Sequence, residues 1–287
     1  MTTRTTPTGA PIGIFDSGVG GLSILRHVRA HLPHEHLVYV ADSGFAPYGD
    51  KPEPVVAERS LAIARFLVAQ GAKAIVVACN TATGAAVRLL RERLPEIPIV
   101  GVEPGLKPAA AITKRGTVGV LATERTLASE KFLLLRDQIA RDTGARFLLQ
   151  PCSGLVDQIE LGELASPAIV AMLRRYVTPL LEGGADTLVL GCTHYPLVQA
   201  SIEHVIRESG AWNIALVDTG DAVARQLARL LDAGALLRAP DAPARARVEG
   251  YTSASAAALS AAFNSLIGID PQVAETSFGE PDTVARI

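Results

Sequence analysis

Short apolar runs alternate with longer helical patterns along most of this chain of 287 residues. The runs that predict buried strands lie at residues 12–15, 37–41, 74–78, 97–102, 117–121, 147–149, 187–190 and 214–217. A stretch with helical character follows each of them. Strands and helices that alternate at these lengths are typical of βαβ units, so the sequence predicts an α/β fold with mostly parallel sheets.

The pattern also repeats itself within the chain. A Gly-Ala pair precedes a strand that ends at Cys79, and a second Gly-Ala pair precedes one that ends at Cys192, an offset of 192 − 79 = 113 residues. Three further short matches keep the same order, namely residues 12–17 with 118–123, 42–44 with 152–154, and 102–105 with 217–220. Together they predict a duplicated α/β half. The alternative is that buried strands ending in small residues resemble one another without duplication.

Two similar halves predict two domains that face each other across a cleft. In open parallel sheets the ligand site lies at the carboxyl ends of the strands. Cys79 and Cys192 both follow such ends. A pseudo-twofold relation between the halves would therefore place two thiols on opposite walls of one pocket.

The composition excludes several functional classes. Lys and Arg total 27 and Asp and Glu total 29, and aromatic residues make up 5%, which argues against a nucleic-acid or anionic-membrane binder. Three cysteines do not form a disulfide framework, which favours a reducing compartment. The N-terminus has no apolar signal region, and no run approaches about 18 apolar residues, so no transmembrane helix is predicted. We therefore expect a cytoplasmic globular protein.

Two of the three cysteines stand where a thiol can be activated. Cys79 and Cys192 each lie at a predicted strand end just before a predicted helix, where backbone N–H groups and partial positive charge lower a thiol pKa. A lone cysteine in such a place is more often a small buried apolar residue. The matched contexts of the pair favour chemistry instead. Cys152 has no comparable helix start after it, and we interpret it as structural.

Several segments beside these cysteines are suited to an anionic ligand. Asn80 and Thr81 follow the first cysteine, and Thr193 and His194 follow the second; we expect them to cap the helices or to bind an anion. The Gly-rich turn at residues 18–21 lacks the third glycine of a dinucleotide fingerprint. Its backbone N–H groups are better suited to a small anion such as a carboxylate.

Four other polar residues each have a functional interpretation and a non-functional one. Asp16 is either a helix cap or a carboxylate in the cleft, and Tyr48 either lines the cleft or covers the core. His194 is either an acid/base partner for Cys192 or substrate, or a surface histidine. Zinc-ligand spacing is absent around it, so no metal site is predicted. Glu160, in a predicted helix, is expected to be solvated as a lone glutamate.

Five motifs in this order closely resemble the glutamate racemases of the aspartate/glutamate racemase family. They are residues 15–23 (FDSGVGGLS), 47–49 (PYG), 78–81 (ACNT), 102–104 (VEP) and 191–197 (GCTHYPL). The resemblance runs from about residue 12 to about residue 219, and the two cysteine motifs are highly specific in combination. The segment beyond about Gly234 adds nothing diagnostic.

The resemblance implies a cofactor-independent interconversion of L- and D-glutamate that supplies D-glutamate for the peptidoglycan of the cell wall. It also implies two α/β domains with the second inserted in the first, at residues 102–213 within 1–101 and 214–287. A homodimer without nucleic-acid or membrane partners is expected.

The resemblance further assigns roles to individual residues. Cys79 would deprotonate D-glutamate with help from Asp16. Cys192 would deprotonate L-glutamate with help from His194 and Glu160. The substrate-binding positions implied by the resemblance are Asp16, Ser17, Tyr48, Gly49, Asn80, Thr81, Thr123, Thr126, Thr193 and His194. One departure is Gly44, where the family commonly has an arginine.

Four other functions remain as alternatives. An aspartate racemase would share both cysteines but need a shorter side-chain pocket. A decarboxylase of the same superfamily would typically keep only one of them. A binding module would close two α/β halves on a small anion without needing either thiol. A pyridoxal enzyme would need a reactive lysine, and neither Lys51 nor Lys73 stands in a convincing cofactor motif.

Overall fold

The computed structural model describes residues 8–240, 242 and 246–279. Its strands are β1 Ile12–Asp16, β2 Leu37–Ala41, β3 Ala74–Val77, β4 Ile99–Gly101, β5 Thr117–Ala122, β6 Arg146–Pro151, β7 Thr187–Leu190, β8 Ala215–Val217, β9 Val248–Thr252 and β10 Gln272–Glu275. Its α-helices are α1 Leu22–His31, α2 Glu53–Ala69, α3 Asn80–Arg93, α4 Leu106–Ile112, α5 Glu124–Ala128, α6 Glu130–Thr143, α7 Leu155–Glu160, α8 Pro167–Glu182, α9 Gln199–Glu208, α10 Gly220–Ala233 and α11 Ala256–Ile267. Two 3₁₀ helices span Tyr48–Asp50 and Tyr195–Val198.

The chain divides into two compact units, each built on one parallel sheet. The first unit comprises the chain up to Val102 and from Gly220 onward, and the second comprises Glu103–Thr219. The six-stranded sheet of the first unit has the order β10-β9-β2-β1-β3-β4, and the four-stranded sheet of the second has the order β6-β5-β7-β8. All of these strand pairs are parallel. The predicted fold class of two similar parallel-sheet α/β domains is thus confirmed.

Both predicted borders differ from those of the two units, the first by a single residue, because Val102 belongs to the first unit. Residues 214–219, which the sequence assigned to the first domain, belong to the second unit. The reason is strand pairing, because β8 is the edge strand beside β7.

The two sheets repeat one topology. The order β2-β1-β3-β4 in the first unit matches β6-β5-β7-β8 in the second, and each of the four sequence matches follows or spans an equivalent strand. The turns that lead into β3 and β7 also agree. Gly71 and Gly184 have φ values of 85° and 88°, and the next residue donates a backbone hydrogen bond to Leu67 and to Leu180 respectively. These equivalences support a duplicated half.

Both faces of the first sheet are covered, as is usual for parallel strands. Ile12 and Ile14 of β1 pack with buried residues of α1, α10 and α11, whereas Phe15 packs with those of α2 and α3. Between them, Gly13 lets α2 approach the sheet closely, since an added Cβ would lie about 3.0 Å from the side chain of Leu67, which would have to move slightly.

The C-terminal segment contributes two strands that the sequence analysis did not predict. β9 pairs with β2, and β10 pairs with β9 at the edge of the first sheet. Apart from the buried Gly250 and Thr252, their residues are half-buried or exposed, and neither strand is a long apolar run. Gly250 in β9 lets Phe263 of α11 approach, because an added Cβ there would lie 2.9 Å from the ring.

A buried ion pair lies at the amino end of β3. Lys73 Nζ is 2.5 Å from Glu35 Oε2, and it also donates hydrogen bonds to the carbonyl oxygens of Thr8 and Leu236. The ammonium group is therefore held by one carboxylate and two carbonyl oxygens. Because its amine is buried and bound to these groups, Lys73 is not suited to form the Schiff base that a pyridoxal enzyme needs.

No helix among the described residues combines the length and the hydropathy that a membrane span requires.

Candidate active site

Cys79 lies between β3 and the start of α3. It is the N-cap residue of α3, and its Sγ accepts a hydrogen bond from the backbone N–H of Ala82 at 3.5 Å. Ser17 Oγ is 3.8 Å from the sulfur. The N-terminus of a helix of 14 residues stabilises a thiolate at this point.

The cap itself differs from the prediction. Asn80 and Thr81 were expected to cap this helix, but Cys79 does so and Asn80 is already the first helical residue. The extended backbone of Cys79 directs its own side chain back over the first turn. The thiol is therefore closer to the helix N–H groups than the sequence suggested.

Asn80 has an unusual environment. Both polar atoms of its side chain are buried and have no hydrogen-bond partner in the protein. Buried amides are nearly always satisfied, so an amide like this one is suited to a polar ligand. Thr81 beside it is 8% exposed.

Asp16 organises the Gly-rich turn after β1. Its carboxylate is wholly buried and accepts hydrogen bonds from the backbone N–H groups of Ser17 at 2.8 Å and Gly21 at 2.6 Å. An added Cβ on Gly21 would lie 2.7 Å from Asp16 and 2.8 Å from the hydroxyl of Tyr39. These bonds make Asp16 the acceptor that closes the turn leading into α1, whose N-cap residue is Gly21. The same turn brings Ser17 to the Cys79 thiol.

Tyr48 belongs to the same buried cluster as Cys79 and Phe15. Its hydroxyl donates a 2.7 Å hydrogen bond to Asp42 Oδ2. Burial, the negative charge of Asp42 and the nearby Cys79 raise the pKa of Tyr48 well above its usual value, so the phenol stays neutral. Gly49 follows it in the 3₁₀ helix Tyr48–Asp50.

Cys192, after β7, heads a chain of three proton-handling groups. Its Sγ is 3.7 Å from His194 Nδ1, and His194 Nε2 is 2.6 Å from Glu160 Oε1 at the end of α7. The imidazole is 3% exposed and the carboxylate 23%. A carboxylate on Nε2 favours the tautomer with a hydrogen there, in which Nδ1 carries the lone pair that can accept the thiol proton.

Two predictions about this second cluster were wrong. Glu160 is not a solvated lone glutamate, because the fold brings it to a histidine 34 residues away. Cys192 does not stand at the start of an α-helix. A turn closed by Tyr195 N–H on the Cys192 carbonyl leads into the 3₁₀ helix Tyr195–Val198, and α9 begins only at Gln199. The group that can activate Cys192 is therefore His194 rather than a helix N-terminus.

The remaining predicted positions also lie at strand ends. Thr193 is 4% exposed and follows β7. Thr123 follows β5 and caps α5, where its hydroxyl accepts a hydrogen bond from the backbone N–H of Thr126. The two threonine hydroxyls are 3.0 Å apart. Because β5 and β7 are neighbouring parallel strands, Thr123 and Thr193 lie at the same carboxyl end of the second sheet as Cys192.

Cys152 follows β6 at that end of the sheet but is buried, with 2% exposure. Burial raises the pKa of its thiol to about 12, and a nearby Cys192 adds to the shift. It remains protonated at neutral pH, which is consistent with the structural role predicted for it.

The sequence analysis missed one buried ion pair at the first site. Arg59 of α2 binds the carboxylate of Asp42, the residue after β2. The position of Asp42 could have indicated this, because it follows β2, whose carboxyl end lies beside that of β1. At Gly44 a side chain is excluded, because an added Cβ would lie 2.4 Å from the carbonyl oxygen of Ser253. Within the described ranges, no cluster of three or more His, Cys, Asp or Glu side chains is arranged to hold a metal ion.

Comparison with known proteins places these residues in a family. The model of the Asp/Glu/Hydantoin racemase family matches residues 22–227. A glutamate racemase of Ectopseudomonas mendocina (strain ymp) is 55% identical over 235 residues, which cover 82% of this chain and 87% of that protein. A glutamate racemase of Ralstonia nicotianae is 51% identical over 280 residues, which cover 98% and 96%.

Solved structures agree. Glutamate racemase from Francisella tularensis in complex with D-glutamate has a TM-score of 0.80 at 26% identity, covering 94% of this chain and 98% of that one. Escherichia coli glutamate racemase in complex with L-glutamate and the activator UDP-MurNAc-ala has a TM-score of 0.79 at 33% identity, covering 93% and 97%. The resemblance noted in the sequence is confirmed, and the chain belongs to the Asp/Glu/Hydantoin racemase family, among the glutamate racemases.

Proposed function

We propose that this chain interconverts L- and D-glutamate without a cofactor, with Cys79 and Cys192 as the acid and base. The observation that carries the proposal is the pair of thiols at equivalent strand ends of two repeated sheets, each beside its own means of activation. Relatives that are at least half identical support the substrate, as do neighbouring structures that contain D-glutamate or L-glutamate.

Inverting a stereocentre by proton transfer needs a base on one face of Cα and an acid on the other. Cys79 deprotonates D-glutamate as a thiolate stabilised by the start of α3, while Cys192 delivers its proton from the opposite face. In the reverse direction the roles exchange, and His194 accepts the proton of Cys192. Glu160 holds the imidazole, and Asp16 acts at the Cys79 side by holding the turn that presents Ser17.

Polar groups at the same strand ends bind the substrate and stabilise its carbanion-like state. Asn80 is the strongest candidate, because its amide is buried and has no partner in the protein. Donors of this kind near the α-carboxylate lower the barrier to proton removal. The other substrate-binding positions in this proposal are Asp16, Ser17, Tyr48, Gly49, Thr81, Thr123, Thr126, Thr193 and His194.

The family resemblance also supports a place for the reaction in the cell. We propose that the product D-glutamate serves peptidoglycan synthesis and that the enzyme acts in the cytoplasm as a homodimer. No nucleic-acid partner is expected, because 27 basic and 29 acidic residues leave no net positive charge.

The test follows two signals from one reaction. Protein freed of metals and small molecules is incubated with L-glutamate in deuterated water, and circular dichroism and the Cα–H proton resonance are recorded. We expect the optical signal to decay as deuterium enters Cα. Cys79→Ser and Cys192→Ser should each abolish both changes, whereas Cys152→Ala, a matched cysteine control, should retain them.

Each other outcome selects an alternative. Activity that survives in either active-site serine variant refutes the two-thiol mechanism. If glutamate is not converted but aspartate is, the substrate assignment is wrong and an aspartate racemase is favoured. Binding of glutamate without deuterium uptake favours the binding module.

The two thiols are expected to differ in how they are activated. His194→Asn should lower kcat/KM by about 10²–10⁴-fold, equally in both directions because the enantiomers have equal free energies. At one fixed pH, the rate of iodoacetamide alkylation should fall for Cys192 and stay unchanged for Cys79. A fall at both thiols would contradict separate activation.

A further inference from the structure

The carboxylate of Asp42 lies at the centre of a buried network beside the first cysteine. Arg59 binds it with two parallel hydrogen bonds, Nε to Oδ2 and Nη2 to Oδ1, both at 2.8 Å. Tyr48 donates to Oδ2 at 2.7 Å, and Ser253 donates to Oδ1 at 2.6 Å. Each carboxylate oxygen thus accepts two hydrogen bonds. The Asp42 side chain has no exposed surface and that of Arg59 is 9% exposed.

Part of this network comes from the C-terminal segment. Ser253 follows β9 and also accepts the backbone N–H of Gly44 at 3.0 Å. The guanidinium of Arg59 donates a further hydrogen bond to the carbonyl of Gly279 at 2.6 Å. The ring of Phe278 lies 5.5 Å from the guanidinium, close enough for a cation–π contact. The segment for which the sequence analysis found no role is therefore bound to the network.

Tyr48 connects the network to the thiol. It lies in one buried cluster with Cys79, and the 3₁₀ helix that it begins packs against α3, the helix that Cys79 caps. Its aromatic ring also meets the ring of Phe45 edge to face at 6.1 Å. Its hydroxyl hydrogen is engaged by Asp42, so the orientation of the phenol depends on that carboxylate.

We propose that Arg59 and Ser253 are positioning residues, which act through Asp42 to hold Tyr48 and its 3₁₀ helix beside Cys79. The inference rests on the proposed function, because Tyr48 and Gly49 are substrate-binding positions there. An Arg–carboxylate pair with two parallel bonds fixes an orientation as well as a distance, which an ammonium group cannot do. The role of the C-terminal strands is then to complete the Cys79 side of the site.

The test is a double-mutant cycle on racemisation kinetics. Arg59→Lys keeps the charge but loses the parallel pair, and we expect the KM for glutamate to rise about tenfold while kcat changes by less than about threefold. Ser253→Ala should raise KM by about threefold. In a Tyr48→Phe background Arg59→Lys should add nothing, because residues that act through one another are not additive.

A matched control separates positioning from stability. Glu35→Gln breaks an equally buried ion pair at the opposite end of the same sheet, so it should lower the melting temperature and leave KM unchanged. If Arg59→Lys behaves like this control, or raises KM equally in the Tyr48→Phe background, the proposal is overturned. If Arg59→Lys does not fold, the test rests on Ser253→Ala. A KM for Ser253→Ala equal to that of the wild type would then overturn the proposal.

Wild-type activity is measured first, so that failure of the proposed function is recognised separately. If the wild type does not convert glutamate, the cycle is repeated with iodoacetamide alkylation of Cys79 in a Cys152→Ala, Cys192→Ser background. Positioning predicts that Arg59→Lys changes the alkylation rate at least about threefold and that Tyr48→Phe removes this effect. An unchanged rate overturns the proposal without any reference to substrate.

Discussion

Replacing Lys73 with methionine should be among the most damaging single changes in the first unit. The Lys73 side chain has no exposed surface, and its partner Glu35 is 2% exposed. The substitution takes the ammonium away from the Glu35 carboxylate, which still accepts a hydrogen bond from the backbone N–H of Arg238 at 2.8 Å. It also leaves the carbonyl oxygens of Thr8 and Leu236 without the ammonium.

The magnitude follows from this geometry. Breaking a buried ion pair by removing one partner costs about 3–5 kcal/mol, because the other charge stays buried and uncompensated. An exposed pair of the same length would cost at most about 1 kcal/mol. In the double variant Lys73→Met, Glu35→Gln, no charge is left, and the amide oxygen still accepts from Arg238. The loss should therefore shrink to about 1–2 kcal/mol, the effect of the unpaired carbonyls.

The assay is urea unfolding at neutral pH, followed by far-ultraviolet circular dichroism. Fluorescence is unsuitable, because the single tryptophan, Trp212, is 74% exposed and lies in the second unit. We expect Lys73→Met to lower the midpoint of the first unit's transition with little change in its slope. A loss below about 1 kcal/mol, or a double variant no more stable than the single one, would refute the reasoning.

Three further predictions concern packing, pH and thiol reactivity. Gly44→Ala should lower the free energy of unfolding in urea by about 1–3 kcal/mol, because its Cβ meets the Ser253 carbonyl. Gly84→Ala, in open space within α3, should instead raise it by about 0.5–1 kcal/mol. Burial alone would raise the pKa of Asp186, but hydrogen bonds from two hydroxyls and two backbone amides bring it below 3.8. Its stabilising effect should be present above that pH and vanish as the pH falls through the folded value; unfolding of wild type and Asp186→Asn from about pH 5 to about pH 2.5 measures this, and a constant difference would contradict it. Cys152, with a pKa of about 12, should resist iodoacetamide at about pH 8 in the folded protein lacking the other two cysteines and react once unfolded.

Most strands could be predicted because each is a local apolar run. The predicted strands at residues 37–41 and 187–190 coincide with β2 and β7. Parallel strands covered on both faces must be apolar at consecutive positions, so the signal needs no knowledge of partners. The sequence analysis missed β10 because it is an edge strand with mostly exposed residues. It missed β9 because Glu249, Gly250 and Thr252 interrupt any apolar run there, and because β9 pairs with a strand about 200 residues earlier.

The site shows the same division. The strand-end positions of Cys79 and Cys192 were readable, because a strand's end and the residue after it are local features. The surroundings of Cys192 were not, since the sequence predicted a helix start at both cysteines and an α-helix starts only after Cys79. A 3₁₀ helix follows Cys192 instead, with Pro196 removing one backbone donor from its first turn.

By itself, the sequence determined the α/β class, the repeated order of the strands and the two strand ends that carry thiols. Only the tertiary structure decided which polar groups meet there. Glu160 reaches His194 across 34 residues, and Ser253 reaches Asp42 across 211. The physical reason is that apolar periodicity is set by neighbours along the chain, whereas a hydrogen bond between side chains depends on where the packing of sheets and helices places both ends.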